Sequence, residues 1–421
     1  MDSNGLIYLI TDRDNLNEAF KKVRRNKGAA GVDAKDIEAT RQYLKENKEK
    51  ITRQIQTGQY TPQSVRRVEI PKGNGDTRKL GIPTVTDRVI QQAVVQILTP
   101  IIDPIFSDYS YGFRPNKSAH QAIAQAQSYM DEGYRFVVDM DLEKFFDRVQ
   151  HDKLMSLVAG YIKDKPTLKL IRKFLNAGTM ANGVVVHSQE GTPQGGPLSP
   201  LLSNILLHEL DKELEKRGHR FVRYADDCNI YVKSLKAGER VKLGMTTFIE
   251  KKLKLKVNEE KSAVGKPKAR IFLGVSFYRN KQQTRIYVPK KSKQKLEDKI
   301  RYLTNRNRSI RMNERIKYLN YLIQGWGNYF KVGDVDKYAK KIDAHIRRRL
   351  RACRWKEWKK TTTKYRNLKK LGIRPNDAYR MANTRKGYWR SSNNPIINRA
   401  LNNKYWEKQN LKSLSQIILK P

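Results

Sequence analysis

The sequence predicts an α+β body that continues into an all-helical, strongly basic segment, and three observations predict it. Runs of β-branched and aromatic residues alternate with stretches of helical apolar spacing as far as about residue 290. Beyond Lys290 the strand pattern disappears. Charge shifts at the same place: from Lys290 onward 37 basic residues face 9 acidic ones, against 86 and 42 for the whole chain. At 421 residues the chain exceeds the size at which a single core stops growing, so at least three domains are expected.

The elements follow in order. Residues 14–26 and 37–56 have helical spacing and are separated by a turn at Gly28 to Asp33. Two strands, 65–70 and 78–82, flank the polar turn Gly73-Asn74-Gly75-Asp76 and form a hairpin. Helices are expected over 87–98, 120–130, 152–162 and 201–216, with strands at 136–142 and on both sides of Asp226. Past Lys290, helices are expected over 292–304, 313–331 and 335–359, with Thr361-Thr362-Thr363 as a linker into a small basic domain. Neither an internal repeat nor a long low-complexity tract is evident.

Three segments carry the chemistry. In Phe221 to Val232, the adjacent carboxylates Asp226 and Asp227 stand at a turn between two strand-like runs, where divalent cations can reach a hairpin tip. In Tyr134 to Asp147, a buried strand ends in Asp139 and Asp141 and runs into the pair Phe145-Phe146. Mg²⁺ is usually held by one or two carboxylates plus substrate phosphates, and a two-metal site needs carboxylates brought together from separate strands. Between these lies Gly191-Thr192-Pro193-Gln194-Gly195-Gly196-Pro197-Leu198-Ser199-Pro200, whose glycines allow close approach of backbone to a ligand. Ser199 is expected to cap the helix that follows, with Pro200 in its first turn.

Read in order, Asp141 with Phe145-Phe146-Asp147, then Thr192-Pro193-Gln194-Gly195-Gly196, then Tyr224-Ala225-Asp226-Asp227 resemble the successive palm motifs of a reverse transcriptase. The resemblance is nearest to the bacterial group II intron-encoded enzymes, and among them the compact IIC type without an endonuclease domain. Arg66 to Lys72 and Thr77 to Val85 resemble that family's fingers, and Tyr111-Gly112-Phe113-Arg114-Pro115 is another of its signatures. Leu255 to Ser262 and Phe272 to Phe277 resemble the following palm motif and the primer-gripping hairpin. Gly325-Trp326-Gly327-Asn328-Tyr329-Phe330 resembles the maturase thumb.

The resemblance implies a right-hand polymerase: an N-terminal extension and fingers over 1–110, a palm over 111–290, a helical thumb over 291–360 and a basic DNA-binding-like domain over 361–421. It implies that Asp141 and Asp226 hold two Mg²⁺ ions, with Asp227 in support and the Leu142 carbonyl completing the coordination. Lys72 and Arg78 are then triphosphate clamps, the guanidinium being suited to bidentate contact and the ammonium acting as a point charge. Phe146 is the sugar gate that excludes a 2′-hydroxyl, while Phe145 is core. Gln194 lies beside the incoming nucleotide or template. Lys261 either protonates pyrophosphate or sits on an exposed basic face. Asp139 could share a strand face with Asp141, but the family motif assigns catalysis to Asp141.

Composition points to the same class of partner. A net charge of +44 would cost stability through self-repulsion unless phosphates neutralised it. Arg114, Arg347-Arg348-Arg349 and Lys386-Gly387-Tyr388-Trp389-Arg390 are the expected nucleic-acid contacts, with Trp389 placed for stacking. Most other aromatic rings of the C-terminal third are expected to be core. The expected partners are an RNA template, group II intron RNA, a DNA primer or target, and dNTPs.

Only two cysteines, Cys228 and Cys353, are present and without paired spacing, so a disulfide scaffold is not expected. Met1 to Asp12 lacks an export pattern and no apolar run reaches membrane-spanning length, so a cytoplasmic protein without membrane contact is expected. The six dispersed histidines and the absence of Cys pairs argue against a metal-dependent endonuclease. Two other readings share these motifs in whole or part: a host-adopted reverse transcriptase in repair or defence, and a splicing maturase that only binds RNA.

Overall fold

The computed structural model describes residues 5–71, 77–181, 184–186, 190–191, 195–280 and 283–419, without the side chains of Arg78, Ala181, Val184 and Val185. The fold is α+β, and the chain divides into two compact units, Met1–Lys266 and Pro267–Pro421.

The first unit is built on two four-stranded sheets. In one, Val65–Pro71 pairs antiparallel with Thr77–Ile82, from Arg66 opposite Ile82 to Pro71 opposite Thr77. Its other edge takes the short strand Thr179–Ala181 in parallel, which in turn pairs with Val184–Val186. The second sheet is antiparallel throughout, in the spatial order Arg220–Tyr224, Asp227–Val232, Phe136–Met140, Ala263–Gly265. Its register sets Tyr224 opposite Asp227, and Asp139 opposite both Asn229 and Ala263.

Helices cover both faces of this second sheet: Val138, Phe221 and Ile230 on one face have no exposed surface, and on the other Tyr231 is buried against Tyr129 of helix Ala119–Asp131. Ala119–Asp131, Ser199–Lys216 and Leu235–Phe248 all pack on it. Helix Ser199–Lys216 is apolar nearly all round and buries Leu201, Leu202, Ile205, Leu206, Leu207, Leu210 and Leu214, as a central helix must. Ser199 is its first helical residue, and Leu198 takes the capping position without a side-chain bond. The Ser199 carbonyl instead accepts the Ser203 hydroxyl at 2.7 Å. Helices Lys165–Leu175 and Leu235–Phe248, and the two short strands near residue 180, are additions to the sequence reading.

The second unit opens with a hairpin, Ser276–Arg279 with Thr284–Tyr287, and is helical thereafter. Helix Asp336–Glu357 shows why. Ala339, Ile342, Asp343, Ile346, Leu350 and Cys353 recur at three- and four-residue spacing and are buried, while its arginines and lysines occupy the remaining faces. Helices Lys290–Leu303 and Met312–Phe330 add Leu296, Ile300, Leu319 and Ile323 to the same core, and Trp355 and Trp406 are almost fully buried in it. Buried Asp343 holds the C-terminal segment by accepting from the Leu414 amide at 2.7 Å and the Ser415 amide at 3.0 Å. Thr361-Thr362-Thr363 is not a linker: it forms the first turn of helix Thr361–Lys370, which is drawn into the core by fully buried Leu368. Among the described residues no helix is long and apolar enough to cross a membrane.

Candidate active site

Asp226 is carried on a two-residue turn, Ala225-Asp226, between paired strands. Hairpins of this length favour mirror-image turns with positive φ, and Ala225 has φ = 57°. For an L-residue that conformation costs roughly 1–2 kcal/mol, so the surroundings must impose it. Arg223 does so. Its side chain is fully buried, its Nε and Nη2 donate to the two carboxylate oxygens of Asp211 at 2.7 and 2.6 Å, and its Nη1 donates to Asn204 Oδ1 at 3.0 Å and to the Ala225 carbonyl at 2.9 Å. A lone buried guanidinium would be very costly, but this one is paired and hydrogen-bonded on every side.

The Tyr111-Gly112 signature completes the clamp. The Tyr111 amide donates to the Arg223 carbonyl at 2.8 Å, the Arg223 amide donates to the Tyr109 carbonyl at 2.9 Å, and Asn204 Nδ2 donates to the Gly112 carbonyl at 2.9 Å. Gly112 lies so close that a Cβ there would stand 2.2 Å from the Ala225 nitrogen.

Asp141 follows directly on strand Phe136–Met140 and is fixed from 121 residues away. Its backbone is bracketed by Ser262, which meets both the amide (2.9 Å) and the carbonyl (3.3 Å), and by the Asn258 amide, which donates to the same carbonyl at 2.8 Å. Leu142 forms an antiparallel bridge with Val257. The segment Leu255 to Ser262 thus serves as a brace for Asp141.

These elements enclose a cleft of about 1090 Å³. Asp141, Leu142, Phe146, Asp226 and Lys261 all line it. Three lysines that the sequence reading did not single out, Lys79, Lys144 and Lys256, line it too. Phe145 and Phe146 are both buried and meet edge to face at 5.1 Å between ring centroids. Asp227 begins its strand beside the cleft. Partial desolvation of its carboxyl, although the residue keeps exposed surface, followed by the negative charge of Asp226, Asp139 and Asp141, pushes its pKa up to about 6. Carboxylates concentrated in this way call for a cation. Among the described residues no three His, Cys, Asp or Glu side chains form a closed metal cage. Mg²⁺ does not need one, since it takes one or two carboxylates and completes its octahedron with water and substrate phosphate. The donor set, hard oxygens in an open cleft, fits that ion.

The remaining nominated residues are placed as follows. Lys72 and Gln194 lie outside the described residues, and Arg78 is described only by its backbone, opposite Ile70 in the hairpin. Gly191 is held by His151, whose Nε2 lies 2.7 Å from its carbonyl. The glycines beyond it approach the protein itself: a Cβ on Gly195 would stand 2.6 Å from the Gly81 carbonyl, and one on Gly196 2.3 Å from Gln91 Oε1. The Arg114 side chain is 5% exposed and donates to Asp103 and to the Ser107 and Ser110 carbonyls. Its donors are committed within the protein, contrary to the expectation of a nucleic-acid contact. In the helical unit, Lys386 and Arg390 are exposed, and Arg347, Arg348 and Arg349 are partly so. The Arg348 guanidinium lies 4.0 Å over the ring of Trp389.

Signals for the missed residues existed in part. Arg223 is a charge buried between the apolar Val222 and Ala225 in a strand whose other arginine, Arg220, is exposed at its start, and Gly112 and Ser262 belong to motifs already noted. Nothing in the sequence pairs them with their partners.

Comparison with known proteins places the chain in a family. The family described as reverse transcriptase (RNA-dependent DNA polymerase) matches residues 70–277, and the group II intron maturase-specific domain matches residues 293–372. Group II intron-encoded protein LtrA of Lactococcus lactis subsp. cremoris is 34% identical over 311 residues, covering 58% of this chain and 52% of that protein. Protein YkfC of Escherichia coli K12 is 33% identical over 299 residues, covering 62% of this chain and 78% of that protein. A putative COX1/OXI3 intron 2 protein of Saccharomyces cerevisiae is 34% identical over 216 residues, covering 50% of this chain and 25% of that protein. The chain spans about half the length of LtrA and a quarter of the yeast protein. Reverse transcriptases of this kind use divalent metal ions. With both domain matches in their expected order and relatives of this similarity, the chain belongs to the bacterial group II intron-encoded reverse transcriptase and maturase family.

Proposed function

We propose that the protein is an RNA-directed DNA polymerase of the compact intron-encoded type, copying intron RNA into DNA from dNTPs and binding that RNA to assist splicing. The observation that carries this reading is the cleft, where Asp141 and Asp226, delivered by separate strands, share one space with Phe146 and several lysines. In it Asp141, Asp226 and the Leu142 carbonyl would hold two Mg²⁺ ions, with Asp227 in support. When bound, such ions supply charge neutralisation for an attacking 3′-oxygen and a departing pyrophosphate.

The chain's own residues do the rest. Arg223, Asn204 and Gly112 set the height of the Asp226 turn, and Ser262 and Asn258 set Asp141. Phe146 forms the wall against which a 2′-hydroxyl collides. Lys72, Arg78 and Lys79 supply charge to the triphosphate, Gln194 contacts the nucleotide or template, and Lys261, which lines the cleft, serves the pyrophosphate. The four-part division into fingers, palm, thumb and basic C-terminal domain goes with this reading. The basic helical unit, with Arg347, Arg348, Arg349, Lys386, Trp389 and Arg390, is the surface for intron RNA, template and primer.

Primer extension on an RNA template with Mg²⁺, comparing dNTPs with rNTPs and the native chain with Asp226→Ala, tests the proposal. Extension with dNTPs that vanishes in the variant, while RNA binding persists, is the expected result. A native protein that binds RNA tightly but makes no DNA would replace this reading with that of a binding-only maturase.

A further inference from the structure

The helical unit contains a second cavity, of about 270 Å³, lined by Thr304 to Asn307 on the connection between helices Lys290–Leu303 and Met312–Phe330, by Arg349 and Ala352 on helix Asp336–Glu357, and by Trp389. No carboxylate lines it. The hydrogen bonds around it leave a rim of donors. Asn305 Oδ1 is taken by the Asn307 amide at 2.9 Å, and Asn307 Oδ1 by Lys356 Nζ at 2.7 Å, so each side-chain amide retains its NH₂ group for a ligand. Arg349 is held in place by bonds to Thr304 Oγ1 and the Arg301 carbonyl. Arg306 is exposed at the mouth.

Trp389 is the unusual member. Trp355 and Trp406 are 1% exposed, whereas Trp389 is 38% exposed. It is nevertheless held: the Arg348 guanidinium stacks over its ring at 4.0 Å, and His345 meets it edge to face at 6.3 Å. A rigid, partly exposed indole beside guanidinium groups and amide donors is a platform prepared in advance for a flat, acceptor-bearing ring with an anionic neighbour.

We propose that this cavity receives a single unpaired nucleotide of a bound strand, its base stacking on Trp389 and its phosphate meeting Arg306 and Arg349. The site deepens the proposed function and rests on the chain's being a nucleic-acid enzyme. It is separate from the catalytic cleft, because every residue lining it belongs to the helical unit. A strand engaged there would be held in register by one extruded base, with no demand on its identity beyond a π face and acceptor atoms.

The test uses the full chain and three labelled strands of about 12 nucleotides: oligouridylate, oligodeoxythymidylate and an abasic deoxyribose-phosphate strand. Fluorescence anisotropy gives Kd for the native protein, Trp389→Ala, Trp389→Phe and Arg306→Gln. Loss of one stacked base is expected to weaken binding of a base-bearing strand about tenfold in Trp389→Ala, with most of the affinity kept in Trp389→Phe. Binding of the abasic strand should not change in either. Arg306→Gln should weaken all three strands and lower the slope of log Kd against log salt by about one. A loss seen with uridylate alone assigns the pocket to RNA, and one seen with deoxythymidylate alone assigns it to DNA.

Trp389→Ala that leaves every Kd within twofold, or that weakens the abasic strand equally, overturns the pocket. Native protein that extends primers yet shows this result retains the polymerase reading and loses only the pocket. Native protein that neither extends primers nor binds the strands loses both.

Discussion

Replacing Gly112 with Ala adds one methyl group and asks whether the Asp226 turn is held as the structure implies. Gly112 is not in the left-handed region, so alanine meets no backbone objection there. The methyl group does: it would stand 2.2 Å from the Ala225 nitrogen and within 3.0 Å of the Tyr224 carbonyl carbon and Ala225 Cα, all of them backbone atoms that cannot rotate away. Ordinary contact begins near 3.4 Å, so the turn must retreat by about 1 Å or the Tyr111 segment must leave the Arg223 strand. A misplacement of about 1 Å near a reacting centre costs on the order of 100-fold in rate, and forced overpacking costs about 1–3 kcal/mol of stability. Single-turnover dNTP incorporation on a saturating primer and RNA template should therefore fall about 100-fold, with RNA affinity kept within about twofold and only a modest drop in Tm. Gly112→Ala protein with native incorporation and native Tm would refute the claim that this contact sets the turn.

Other outcomes follow from the same structure. Asp211→Asn leaves the buried Arg223 guanidinium without its counter-charge, which costs about 3–5 kcal/mol and should lower the melting temperature by roughly 10 °C in a calorimetric scan. Phe146→Ala should raise rNTP incorporation relative to dNTP by about tenfold or more in competitive primer extension, and unchanged discrimination would remove Phe146 as the gate. Asp227 has a folded-state pKa raised to about 6 against a reference of 3.8, so the metal-free native state binds more protons than the unfolded chain between those values. Its contribution to stability therefore declines as pH rises through that window. Asp227→Asn should gain more stability over the native chain at about pH 7 than at about pH 4.5 in urea melts with EDTA.

The carboxylate pair was legible because its chemistry is local. Two adjacent acids between strand-forming runs mark a hairpin, although only Asp226 stands in the turn and Asp227 begins the next strand, and the strand leading to Asp141 announces itself by apolar continuity. The long helices were legible for the same reason, since Leu201 to Leu214 and Ala339 to Leu350 carry their periods in plain view. What escaped is what depends on partners distant in the chain. Arg223 gives no sign in sequence that its counter-charge lies on a helix 12 residues earlier, nor Gly112 that it abuts Ala225. Thr361-Thr362-Thr363 looks like a connector because β-branched residues are poor helix formers, yet tertiary burial of Leu368 outweighs that local preference. Arg114 reads as a nucleic-acid contact because exposure is not written in a sequence.

The bond between Ser262 and the Asp141 backbone decides when the candidate site takes shape during synthesis. The first nominated acid is synthesised early, but the hydroxyl that fixes it is added 121 residues later, and strand Ala263–Gly265, which closes that edge of the sheet, comes later still. A ribosome-bound chain that already carries every carboxylate of the site would hold Asp141 on an unfinished edge strand, free to shift. The geometry of the carboxylates thus arrives all at once, near the end of the first unit's synthesis, and a prematurely terminated chain carries those residues without it.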